Sequence, residues 1–208
     1  MNNLAYNSQD AATVGPKVEE KVREEIGAGV PVAYTVEQGN AGPATFGAFL
    51  HSISTQLVGG AEETLFYLNF DIEQPRCAHL QVSLNRQGVG CHVGLLLYSA
   101  PLARPVAGEI YLEDPKMLGK SKFIGDAAAC AKLNANGDLL KHVNDLARVE
   151  SQAGGQTIKI KRYCRIVPHE NGASLVLATL SRPTKMGFSA TLDAQAFFDI
   201  ANMIEKTL

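Results

Sequence analysis

"TIKIKRYCRIVPHENGASLVLATLSR", residues 157–182, decides the fold class. Two runs rich in β-branched and apolar residues flank Asn171-Gly172, a dipeptide that lets a two-residue hairpin turn take positive φ at both central positions. This turn predicts Glu170 opposite Ala173, Ile166 opposite Leu177 and Cys164 opposite Thr179. Alternation then sets Ile158, Ile160, Cys164 and Ile166 on one face and Lys159, Lys161, Tyr163 and Arg165 on the other. "LVLATL" (175–180) is apolar at nearly every position, so both its faces need cover.

The same alternation recurs upstream. "ETLFYLNFDIE" (63–73) places Phe66, Leu68, Phe70 and Ile72 on one face, and "RCAHLQVSLN" (76–85) places Ala78, Leu80, Val82 and Leu84 there. "VGCHVGLLLYS" (89–99) and "VAGEIYLED" (106–114) read as the next strands of an antiparallel meander. "VPVAYTVE" (30–37) and "MGFSATL" (186–192) read as further strands, and 39–60 suits either a helix from Pro43 or a strand.

Helical period appears in four places. Val18, Val22 and Ile26 form a narrow stripe behind Pro16, which suits a first helical turn. Asp126 can cap "AAACAKLN" and Asp138 can cap "LLKHVNDLARVE" (139–150). The closing "DAQAFFDIANMIEKTL" (193–208) starts at a capping Asp193 and buries Phe197, Ile200, Ala201, Ile204 and Leu208. The pattern predicts an α+β fold: a mainly antiparallel sheet, a meander plus a C-terminal hairpin, packed by a few helices including a C-terminal one. Residues 1–15 read as a flexible N-terminal tail and 16–208 as a single α+β domain. A division into two halves near 114–122 is the alternative.

Composition narrows the function classes. The chain has 208 residues and a formal charge of −2, which offers no global attraction for nucleic acid or an anionic membrane. No basic segment followed by an apolar run opens the sequence, and no apolar run approaches the roughly 20 residues that span a bilayer. A soluble, cytoplasmic protein is expected. Its four cysteines (Cys77, Cys91, Cys130 and Cys164) are scattered, which suggests reduced thiols rather than a disulfide framework.

"QPRCAHLQVSLNRQGVGCHVG" (74–94) carries the densest set of soft metal ligands. A turn over "NRQG" pairs Leu84 with Val89, Val82 with Cys91 and Gln81 with His92. Alternation then sends Cys91 to the apolar face, away from Cys77, His79 and His92, so a tetrahedral zinc site cannot close. What remains is a polar cluster in which His79 and His92 stand diagonally, about 7–8 Å apart. The candidate ligand-binding residues are therefore His79, Gln81, His92 and Tyr98; the plainer reading is two surface histidines on a half-exposed sheet.

"GKS" (119–121) has Asp114 where a phosphate-binding loop needs glycine, and an extended stretch where that loop needs a helix. No Gly-x-Ser-x-Gly or His-Glu-x-x-His occurs, and nothing in the sequence singles out three residues for a triad. Lys159, Lys161 and Arg165 around Tyr163 form a candidate anion- or partner-binding row; a solvated face that discourages edge pairing is the plainer reading. The sequence thus favours a non-enzymatic protein-binding or adaptor module. It would use a half-apolar sheet face (Leu65, Tyr67, Leu96 and Tyr98) to hold a protein partner or a second copy, with no metal, cofactor, nucleic acid or membrane. The alternative is a small-ligand binder or enzyme with a pocket between sheet and helices, lined from His51, His79, His92 or Tyr98.

Overall fold

The structure, a computed structural model, describes residues 5–6, 10–27, 32–38, 64–74, 76–87, 90–114, 120–147, 149–152, 156–183 and 194–208. One sheet is built from β1 (Ala5–Tyr6), β2 (Val32–Gln38), β3 (Thr64–Ile72), β4 (Ala78–Gln87), β5 (Gly90–Leu102), β6 (Ile110–Glu113), β7 (Lys122–Gly125), β8 (Val149–Gln152), β9 (Gln156–His169) and β10 (Gly172–Pro183). The helices among the described residues are α1 (Ala11–Ile26), α2 (Ala127–Ala135), α3 (Gly137–Asp145) and α4 (Ala194–Thr207). Strand order is β2-β3-β4-β5-β10-β9-β6-β7, with β1 added to β5 and β8 to β9. All pairings are antiparallel, so the fold is the α+β arrangement that the alternation predicts.

The meander runs from β2 to β5 and then stops. The strand 110–113 pairs with β9 rather than with β5, because β10 occupies that place beside β5. β5 and β10 are the two strands apolar on both faces, and the centre of the sheet is where such strands are covered twice. The C-terminal hairpin also turns one residue earlier than Asn171-Gly172 implies: Gly172 pairs with His169, Leu175 with Ile166 and Leu177 with Cys164. That is a two-residue shift in register, so every side chain keeps its predicted face.

Two helix boundaries differ from the sequence reading. α1 begins at Ala11, inside the stretch read as tail. Asp10 caps it by accepting from the Ala12 N–H at 3.0 Å, and Val14 extends the buried stripe by one turn. Pro16 therefore lies inside the helix rather than at its first position. α3 is capped by Asn136, which accepts from the Leu139 N–H at 3.0 Å, and Asp138 falls in the first turn. It ends at Asp145, and 149–152 form β8. The readings of 39–60, of "MGFSATL" and of the Asp193 cap lie outside the described residues.

The four described helices pack on one face of the sheet. The main core joins Val14, Val18 and Val22 of α1 and Phe197, Phe198, Ile200 and Ile204 of α4 to Leu68, Phe70, Leu80, Val82, Leu96 and Tyr98. Leu175 and Leu177 of β10 join the same core, so strands from both halves of the chain share it.

Candidate functional site

The face of the sheet turned away from the described helices carries most of the buried polar residues, Asn69, Gln81, Ser83, Asn85 and Ser99. Its membership depends on Gly94. Leu84 pairs with Val93 but Ser83 pairs with Leu95, so Gly94 is an extra residue and the two faces of β5 exchange beyond it. A Cβ on Gly94 would overlap the carboxamide of Asn85, which is buried in the space glycine leaves. Ser83 Oγ accepts from the Leu95 N–H at 2.9 Å and donates to Asn85 Oδ1 at 3.2 Å, closing the bulge.

This exchange corrects the expected partner face. Leu96 and Tyr98 point to the helices, and Leu95 and Leu97 take the second face instead. There they form a separate buried cluster with Val176 and Ala178, against which Tyr163 packs. Tyr67 lies on the second face as expected, and the side chain of Leu65 lies outside those described.

The four candidate ligand residues do not converge. Tyr98 is a core residue, edge-on to Phe198 (centroids 5.2 Å apart) and tilted to Phe197 (5.8 Å). Its hydroxyl has no partner among the described residues, and burial pushes its pKa up, partly offset by Arg76. His79 and Gln81 lie on the second face. The tighter β4–β5 hairpin, with Gln87 paired to Gly90, sets His92 opposite Asn85 and not Gln81. Asn85 is six strand positions from His79, about 20 Å at the usual rise, so the two histidines are not diagonal neighbours. The side chain of His92 lies outside those described, as does all of His51. By register Cys91 pairs with Arg86, and its side chain lies outside those described.

The second face of β3–β5 is arranged in hydrogen-bonded rows. Gln81 Nε2 donates to Asn69 Oδ1 at 2.8 Å, with both residues buried. One row away His79 Nδ1 lies 2.9 Å from Asp71 Oδ1; an ionised carboxylate only accepts, so Nδ1 carries the proton. Directly across β4 from Asp71, the partner of His79 on β5 is Ser99.

The cations of β9 divide by parity between the row containing Arg165 and the single Arg162. Arg165 is on the second face, with Nε on Glu109 and Nη1 donating to Tyr163 Oη at 3.4 Å. The Glu109 hydrogen bond, then that of Tyr163, raises its pKa further above the ordinary arginine value. By register Lys161 and Lys159 share this face, and their side chains lie outside those described. Beside Arg165 stands Tyr111, 46% exposed and paired in turn with Ile124 of β7.

Arg162 and Tyr111 were not singled out by sequence. Arg162 points to the helix side, its side chain 8% exposed, and its Nη2 contacts Asp114 Oδ1, Ser121 Oγ (2.6 Å) and Asn144 Oδ1 (2.9 Å). This rivet ties β9 to the two ends of the 115–119 connection and to the last turn of α3. It also gives "GKS" a structural role: Ser121 donates to Asp114 at 2.8 Å, the residue that stands where a phosphate loop needs glycine. A cation at position 162 within an otherwise apolar alternation (Ile160, Cys164, Ile166) was the available signal. Cys164 beside it is buried, and its thiol is pushed up to about 12 by that burial, with Arg162 pulling the other way. Cys77, Cys130 and Cys164 are free thiols, and no cluster of three metal-ligating side chains occurs among the described residues.

No helix among the described residues is long and apolar enough to cross a membrane. Compared with protein families, curated proteins and solved structures, the chain matches none.

Proposed function

We propose that this protein is a protein-binding or adaptor module that docks an acidic partner on the β9–β6–β7 end of its second sheet face. The observation that carries this reading is the pairing of an exposed Tyr111 with an Arg165 already held in place by Glu109 and Tyr163. Tyrosine and arginine are the residues that most often dominate binding energy at interfaces, and a pre-ordered arginine loses less freedom when it binds. A partner carboxylate can share the Arg165 guanidinium with Glu109. Lys122 of β7 stands at the same end, ion-paired with Glu113 of β6 at 3.6 Å, as Arg165 is with Glu109. An acidic partner would compete with Glu109 and Glu113 for these cations, which makes the contact selective for carboxylates and sensitive to salt.

Fluorescence anisotropy with a glutamate-rich peptide containing one aromatic residue tests the reading. Binding that weakens with salt, falls at least about tenfold in Arg165→Glu and falls in Tyr111→Ala is expected. Equal affinity in all three proteins, or no affinity in any, overturns it. Light scattering that gives a dimer, broken by Tyr111→Ala, would replace the acidic partner with a second copy.

A further inference from the structure

The strand register places Asp71, His79 and Ser99 side by side on β3, β4 and β5, with Gln81 next along β4. We propose that this row is an acyl-transfer site for small esters with an apolar acyl group: Ser99 the nucleophile, His79 its general base, Asp71 a positioning residue and Gln81 the oxyanion donor. The row is distinct from the Tyr111–Arg165 end, and the two stand or fall separately.

Directly opposed residues of adjacent antiparallel strands hold their Cβ atoms about 4.5–5.5 Å apart, which brings an imidazole within reach of a serine hydroxyl. The Asp71 carboxylate holds the Nδ1–H of His79, which fixes the tautomer whose Nε2 is basic. Gln81 uses one amide N–H on Asn69, and its second has no acceptor among the described residues although the side chain is buried. Residues diagonal across two strands lie about 7–8 Å apart, within reach of a glutamine, and side-chain amides serve as oxyanion donors elsewhere.

Access is graded along the row. The Asp71 side chain is 74% exposed, that of His79 is 22% exposed, and Ser99 is buried. A substrate would approach from the Asp71 side; Leu97 and Val176, fully buried on β5 and β10, are the apolar neighbours of Ser99 that its acyl group would have to displace or slide against.

In the first half-reaction Ser99 Oγ adds to the ester carbonyl carbon while its proton passes to His79 Nε2. The oxyanion accepts from Gln81. As the tetrahedral adduct collapses, the ester C–O bond breaks and His79 returns the proton to the departing alkoxide. Water then adds to the acyl-serine, giving its proton to His79. The carboxylic acid leaves as Ser99 regains its hydrogen, so water is the one co-reactant.

The test uses the full chain with p-nitrophenyl acetate and a fluorophosphonate probe. A single adduct on Ser99, absent from Ser99→Ala, and a burst of nitrophenol are expected. Asp71→Asn should lower kcat by about 10⁴-fold with KM little changed, because the wrong tautomer then faces the serine. Gln81→Ala should lower kcat by about 10²–10³-fold. Asp71 is mostly exposed, so Asp71→Asn should keep its circular dichroism spectrum and unfolding midpoint. No adduct on Ser99 in the wild type, or unchanged labelling and turnover in a folded Asp71→Asn variant, overturns the proposal.

Discussion

The two faces of this sheet are made by the same strands and follow opposite rules. The helix side is a large apolar core with one polar rivet, Arg162, at its edge, and the Tyr98 hydroxyl inside it has no partner among the described residues. The second side buries Asn69, Gln81, Ser83 and Asn85 and joins them through side-chain hydrogen bonds. Burying an amide or hydroxyl is tolerable only when its hydrogen bonds are met, so the second face specifies geometry where the first supplies bulk stability. One glycine sets the boundary between them: the extra residue at position 94 decides which of Leu95, Leu96, Leu97 and Tyr98 serves which face.

The strongest way to break the comparison is to open the helix side. Phe197→Ala removes a fully buried ring that packs against Tyr98, and a loss of about 3–5 kcal/mol in urea unfolding is expected. A loss under 1 kcal/mol would mean that α4 does not carry the core. The bulge comes next. Gly94→Ala forces a methyl group into the buried Asn85 carboxamide, and a loss of about 1–3 kcal/mol is expected. The double variant Gly94→Ala/Asn85→Ala should recover part of that loss, because the clash partner is gone; additive losses would show that the two positions are not coupled.

Strand identity and face were legible from alternation, and position within the sheet was not. Lys161, Tyr163 and Arg165 fell on the predicted face although the hairpin register moved by two residues, since an even shift preserves parity. Tyr98 was misassigned because a bulge inserts a single residue, which inverts parity without leaving a mark stronger than one glycine within a strand. The "NRQG" reading brings His79 and His92 together because its turn is two residues too early, which moves the pairing register by four. The run 84–90 holds two usable glycines, and only cross-strand packing chooses between them. The row Asp71–His79–Ser99 was illegible for a related reason. It joins three strands, and a sequence states which residues alternate but not which positions align.

The C-terminal hairpin gives a smaller, sharper test of register. Gly172 has φ of +146°, and a Cβ there would sit 3.0 Å from the Leu102 carbonyl oxygen. Gly172→Ala should cost about 1–2 kcal/mol through backbone strain and the close approach to the Leu102 carbonyl, without moving any residue to the other face. An unshifted denaturation midpoint would put the turn elsewhere.

The smallest expected effect distinguishes the faces by pH. Asp126 caps α2 through the Ala128 and Ala129 N–H groups, at 3.0 and 3.2 Å, and also accepts from the Ala107 N–H at 2.7 Å. It therefore clamps the 103–109 connection to the helical layer. These backbone donors, Ala129 first and Ala107 next, hold its carboxyl below the ordinary range. A folded value below the unfolded one of about 3.9 means that the clamp contributes its charge-dependent stability above about pH 4. That contribution is lost as pH falls through the folded value. Asparagine keeps the capping geometry and removes the charge, so Asp126→Asn should unfold nearly as the wild type does at neutral pH. Below about pH 4 the wild-type midpoint should fall more steeply than the variant's, because every other carboxylate titrates in both proteins and cancels. Parallel curves would show that the Asp126 charge contributes nothing to holding the helical layer.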